Sequence, residues 1–184
     1  MQDKKLTTYQ MAVTALMAAV MCVLGPVSVP IGPVPISLTN LVICLTVWLL
    51  GSKLATLSVA VYLAIGLVGL PVFSGYGAGL AKLAGPTGGY LIGFLPMAFI
   101  GGLFLEKSKA QPVVTAVGLV VGIAVSYVLG TAWFIYQMQC TLATALAGCV
   151  YPFIAFDLAK VVIASVVGSL VRKRLTQAGM LKLA

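Results

Sequence analysis

The sequence predicts an all-α integral membrane protein, six transmembrane helices whose long outer loops form a ligand pocket and lid, in one membrane-embedded domain spanning residues 1–184. Three observations carry that expectation. Hydrophobic residues make up 61% of the chain, charged residues 8%, and there is no His, which is too little polar surface to clothe a soluble protein. Six apolar runs approach the about 20 residues needed to cross a bilayer, at roughly 7–25, 38–51, 54–70, 88–105, 112–132 and 152–171. The basic residues fall in alternate gaps between those runs.

Placing the first gap inside gathers Lys4, Lys5, Lys53, Lys107, Lys109, Arg172, Lys173, Arg174 and Lys182 on the inner face, nine of the eleven basic residues, and leaves Lys82 outside. Both termini are then cytoplasmic, as the basic VRKR segment independently requires. The formal charge of +8 is dispersed over helix ends instead of forming a stripe, so it speaks for a lipid bilayer and not for nucleic acid.

The first run follows Asp3, Lys4 and Lys5 like a signal peptide, but it is too long and lacks a cleavage site, so it reads as a retained helix. Ala15 and Ala19 form a small-xxx-small face that admits another helix closely, from this chain or from a partner. In the loop that follows, GPVSVPIGPVPIS, Pro26, Pro30, Pro33 and Pro35 forbid helix and favour an extended path, either a stiff connector or a cavity wall. The second run is short and opens with Thr39 and Asn40, polar candidates at its outer end. A tight inner gap at Lys53 leads into the third run.

The second outer loop, PVFSGYGAGLAKLAGPTG, feeds the fourth run through LAGPTGGYLIGF, where Gly85, Gly88 and Gly89 permit close backbone approach. No GK[ST] follows, so this is not a phosphate-binding P-loop. The N-terminus of the fourth run offers free N–H groups to a ligand oxygen, and Thr87 adds a hydroxyl; packing through small residues explains the same glycines equally well. EKSKAQP joins the fourth and fifth runs inside. The third outer loop, FIYQMQCTLATALAGCVY, is apolar like the other two, and long apolar loops suit a lid or pocket wall.

Aromatic residues Phe73, Tyr76, Tyr90, Trp133, Phe134, Tyr136 and Tyr151 gather at the outer interface, where aromatic belts belong. Phe73 and Tyr90 flank the glycine-rich segment and can stack on a ring. Cys22, Cys44, Cys140 and Cys149 lack metal-ligand spacing and read as small apolar fillers, with a Cys140–Cys149 disulfide left open.

Asp157 and Lys160, three apart and on one face of the last run, are ionisable groups inside a membrane helix. Each costs on the order of 2.5 to 3.5 kcal/mol to insert. The pair either clamps two helices or presents a carboxylate and an ammonium to a ligand. With no His, no metal cluster and one buried carboxylate, catalysis has no machinery, and binding or transport fits better; no cofactor is implied. The halves show no internal repeat, which argues against a complete rocking transporter. The absence of a nucleotide motif makes active uptake depend on an energy-supplying partner. A proton-coupled carrier using Asp157 as its relay is the competing reading.

The segments IGPVPISLTN, VGLPVFSG, GPTGGYLIGF and PFIAFDLAK, in this order, resemble the BioY family, the biotin-specific substrate-binding (S) components of energy-coupling-factor (ECF) vitamin transporters. The resemblance implies capture of biotin outside a prokaryotic cell by a plasma-membrane S component that works with a transmembrane coupling protein and two ABC ATPase subunits. It implies that Asp157 and Lys160 hold the ureido ring, that Thr87, Gly88, Gly89 and Tyr90 line the pocket, that GPVPIS closes over it, and that Ala15 and Ala19 dock the coupling protein. The same architecture for another vitamin is the nearest alternative. Two positions depart from the family pattern: Phe156 stands where Gly is usual, and Thr39 where Gln is frequent.

Overall fold

Inside hydrocarbon every backbone N–H and C=O has to find its partner within the chain, and helices meet that demand locally. The computed structural model describes residues 6–30 and 34–179, and it is helical almost throughout. Lys4, Lys5, Lys182 and Pro33 lie outside the described residues. In chain order the elements are α1 (Thr8–Leu24), β1 (Ser28–Val29), β2 (Ile36–Ser37), α2 (Thr39–Leu67), α3 (Gly79–Ala84), α4 (Gly88–Lys107), α5 (Pro112–Met138), α6 (Leu142–Cys149) and α7 (Tyr151–Gln177). By length and composition α4, α5 and α7 can cross a membrane; α1 is apolar but shorter, and α2, though long and apolar enough as a whole, is broken at Gly51.

A capping box starts α1: Thr7 Oγ1 accepts from the Gln10 amide while the Thr7 amide donates to Gln10 Oε1. Thr14, Ala18 and Met21 are its buried face, and the Ser58 hydroxyl of α2 donates to the Thr14 carbonyl at 3.1 Å. Ala15 and Ala19, one position on from Thr14 and Ala18, lie on an adjoining, exposed flank.

The two expected runs 38–51 and 54–70 join as α2, with the break at Gly51 and not at Lys53. Gly51 has φ 75° and ψ −168°, a left-handed conformation in which a side chain is strained. A straight helix would carry Tyr62 about 33 Å from Asn40. Instead both lie at one end of the molecule: Leu38, beside Asn40, donates its amide to the Val27 carbonyl, and the Tyr62 hydroxyl approaches Gly25. The chain therefore reverses at Gly51. No linker is needed because two side chains satisfy the broken ends. Arg172 Nη1 donates to the Trp48 carbonyl at 2.7 Å, and Glu106 Oε1 accepts from the Ser52 amide at 2.7 Å and its hydroxyl at 2.8 Å. Each charge has the sign that suits its helix dipole, a cation at the C-terminal end and an anion at the N-terminal end. A Cβ on Gly102 would lie 2.2 Å from the Ser52 Cα, so α4 passes over this joint in direct backbone contact.

The main core gathers α1, α2, α4 and α5 around Trp48, Tyr62, Phe73 and Met97, all fully buried. The three long connections expected on the outer side carry more structure than the sequence suggested. The Pro-rich loop forms a short antiparallel hairpin, with Ser28 opposite Ser37 and Val29 opposite Ile36. The second loop contains a 3₁₀ turn at Ser74–Tyr76 and then α3. The third is largely helix, because α5 runs on to Met138 and α6 follows an N-cap at Thr141. Likewise α7 continues to Gln177, since helical hydrogen bonding persists beyond the apolar run. All four cysteines are free thiols, so the Cys140–Cys149 pairing left open is not formed.

Candidate functional site

Asp157 faces inward from α7 and is only 2% exposed. Three donors satisfy its carboxylate. Lys160 Nζ lies 2.9 Å from Oδ1, while the Tyr127 hydroxyl at 2.6 Å and Asn40 Nδ2 at 3.1 Å donate to Oδ2. Lys160 makes a second bond, 2.9 Å to the Ser37 carbonyl on β2. A buried ion pair survives only when its remaining hydrogen-bonding capacity is used, and here α2, α5, α7 and the hairpin all contribute to using it. One acceptor is left over. Asn40 Oδ1 is buried and has no hydrogen-bond partner among the described residues.

These groups lie on a cavity under the hairpin. Val34, Pro35 and Ser37 roof it, Thr87, Tyr90 and Phe94 come from the α4 side, Ser126 and Tyr127 from α5, and Cys149 and Phe153 close the far wall. Tyr90 is held in place by a 3.1 Å hydrogen bond between its hydroxyl and Thr131. Burial pushes the Cys149 thiol up from its ordinary value, so it stands in the wall as a neutral group. The cavity volume is about 60 Å³, room for a few waters but well short of a drug-sized ligand, with the hairpin seated as it is.

Of the residues singled out from the sequence, Asn40, Thr87, Tyr90, Asp157 and Lys160 meet on this cavity. Gly88 and Gly89 face elsewhere: a Cβ would strike the Leu83 carbonyl of α3 at 1.6 Å and the Trp133 Cβ of α5 at 2.3 Å, respectively. Phe73 is fully buried, edge-to-face with Tyr62 at 5.6 Å, and its ring occupies the space that Gly66 leaves free. It anchors the second loop to α2. Phe156 is half exposed on the outside of α7 and does not touch the cavity, and Thr39 is buried beneath the Ser37 hydroxyl.

Tyr127 was missed by sequence reasoning, which weighed aromatics only at the outer interface. A signal was present: a tyrosine deep in an apolar helix has a hydroxyl that demands a polar partner.

The BioY family profile matches residues 1–177. The chain belongs to the BioY family. A biotin transporter BioY of Thermotoga maritima is 37% identical over 132 residues, covering 70% of this chain and 75% of the relative. The biotin transporter BioY2 of Lactococcus lactis subsp. cremoris is 34% identical over 168 residues, 91% of each chain. Among solved structures, a crystal structure of the S-component for biotin from an ECF-type ABC transporter superposes with a TM-score of 0.84 at 32% identity, covering 94% of this chain and 95% of the other. The helical arrangement of this BioY family chain is thus that of a known S component, and its charged cluster sits within that frame.

Proposed function

We propose that this chain is the biotin-binding S component of an ECF-type ABC transporter, capturing the vitamin for uptake without chemical change. The observation that carries the reading is the cluster of Asp157, Lys160, Asn40 and Tyr127 on one cavity. A ureido ring offers two N–H donors and one carbonyl acceptor. The Asp157 carboxylate and the spare Asn40 Oδ1 accept the former, Lys160 or Tyr127 donates to the latter, and Tyr90, Phe94 and Phe153 supply apolar walls. Gly88 and Gly89 serve this site through the α3 and α5 contacts that set the position of Thr87, and Phe73 through the loop it anchors.

The GPVPIS loop is the lid, opening to enlarge the cavity and closing through Lys160 and Ser37. Counting the two arms of α2 separately, six helices enter the plasma membrane, the short first arm of α2 crossing it incompletely, with both termini cytoplasmic and the cavity facing outward. The asymmetric placement of basic residues and the reversal at Gly51 support this topology. A transmembrane coupling protein docks on the exposed Ala15 and Ala19 face, and two ABC ATPase subunits supply the energy.

A competition panel on the purified protein tests ligand identity. Labelled biotin should be displaced by unlabelled biotin and not by riboflavin or thiamine; displacement by either of those instead would reassign the vitamin.

A further inference from the structure

At the opposite end from the hairpin, beside the Gly51 reversal, lies a cavity of about 990 Å³. Its lining joins four cations from three separated parts of the chain: Lys53 after the reversal, Lys109 in the α4–α5 turn, and Arg172 and Lys173 on α7. Between them are apolar surfaces such as Leu50 and Leu170. The one acid on its wall, Glu106, is engaged with Ser52, and Arg172 is engaged with the Trp48 carbonyl. Among the described residues the ion pair observed is Asp157 with Lys160, so Lys53, Lys109 and Lys173 all face this space without an anionic partner. The general preference for cations at a cytoplasmic face accounts for their being at this end. It does not account for their convergence on one concave wall lined with leucine.

We propose that this cavity binds an anionic phospholipid from the adjacent leaflet, its phosphate among the lysines and the start of an acyl chain against the leucines. Basic pockets between helices at a cytoplasmic membrane face recognise anionic headgroups in this manner. The volume suits an amphipathic ligand, and the site stands beside the joint whose broken helix ends Arg172 and Glu106 hold. An occupying phosphodiester, with its single negative charge, would offset part of the charge of the three lysines without disturbing that clamp.

The test is native mass spectrometry of the delipidated, full-length chain titrated separately with phosphatidylglycerol, phosphatidylcholine and inorganic phosphate. Phosphatidylglycerol is expected to bind about tenfold better than phosphatidylcholine or more, and Lys53→Gln combined with Lys173→Gln to abolish most of that preference. Lys82→Gln, at the other end, should leave it intact. The thermal midpoint of the double variant confirms that it is folded. Equal retention of the two lipids, or an undiminished preference in the folded double variant, overturns the proposal. So does displacement of phosphatidylglycerol by an equal concentration of inorganic phosphate, which marks a free-anion site, or by a lower concentration of an oligoglutamate peptide, which turns this surface to a protein partner.

Discussion

Lys160 Nζ on α7 lies 2.9 Å from the carbonyl oxygen of Ser37, 123 residues away on the hairpin, while the same ammonium pairs with Asp157. One side chain thus ties the charged centre of the site to the segment that roofs it. A ligand that draws the ammonium toward its own carbonyl changes both bonds at once.

The first prediction concerns that tie. Lys160→Met made together with Asp157→Asn avoids leaving a buried charge unpaired. It should leave the helices folded, raise hydrogen exchange in the amides of Val34, Ile36 and Ser37, and weaken biotin binding. Unchanged exchange in a folded variant would separate the hairpin from the charged pair.

Tyr127→Phe removes a single hydroxyl, the 2.6 Å donor to Asp157. Hydrogen bonds to charged groups contribute about 1.5 to 3 kcal/mol, and part of this loss should appear as affinity weakened about threefold to tenfold. Calorimetry on the purified variant measures it.

Asn40→Leu is close in size but deletes both the amide donor to Asp157 and the spare buried acceptor. Biotin binding should weaken by about tenfold, or 1.4 kcal/mol, with little change in the thermal midpoint. Affinity equal to that of the parent protein would exclude Asn40 Oδ1 as a ligand contact.

Glu106→Ala strips the Ser52 amide and hydroxyl of their acceptor at the reversal. The loss should be about 1 to 3 kcal/mol of stability, read as a lowered thermal midpoint, while biotin affinity of the folded fraction stays the same. Gly51→Ala should be at least as harmful, because it places a side chain at φ 75° with its Cβ 2.7 Å from Glu106 Oε1.

How far the sequence could be read depended on whether each signal had one physical meaning. Asp157 and Lys160 stood out because an ionisable residue in an apolar run has few explanations, and they do sit together on a cavity. Gly88 and Gly89 were ambiguous, since close backbone approach to a ligand and to a neighbouring helix demand the same residue; their open faces meet α3 and α5. The reversal was placed near Lys53 because a charge marks a membrane boundary. The turn itself falls on Gly51, where a left-handed backbone is possible, and its two caps come from Glu106 and Arg172, far away in sequence. No local pattern announces such partners. The hairpin was hidden by prolines, which report only an extended path.

Ala15→Trp fills the small-residue face of α1 without touching the cavity. Biotin binding by the isolated chain should be unaltered, whereas assembly with the coupling protein and uptake into cells should fall sharply. Normal assembly of the variant would move the docking surface elsewhere.

The most direct measurement is a calorimetric titration of the detergent-purified chain with biotin, run beside Asp157→Asn. Saturable one-to-one binding in the nanomolar range, weakened at least about tenfold by the substitution, is the predicted result. Absence of saturable binding by well-folded protein, or equal affinity in the two proteins, would contradict the assignment of Asp157 and its partners to biotin.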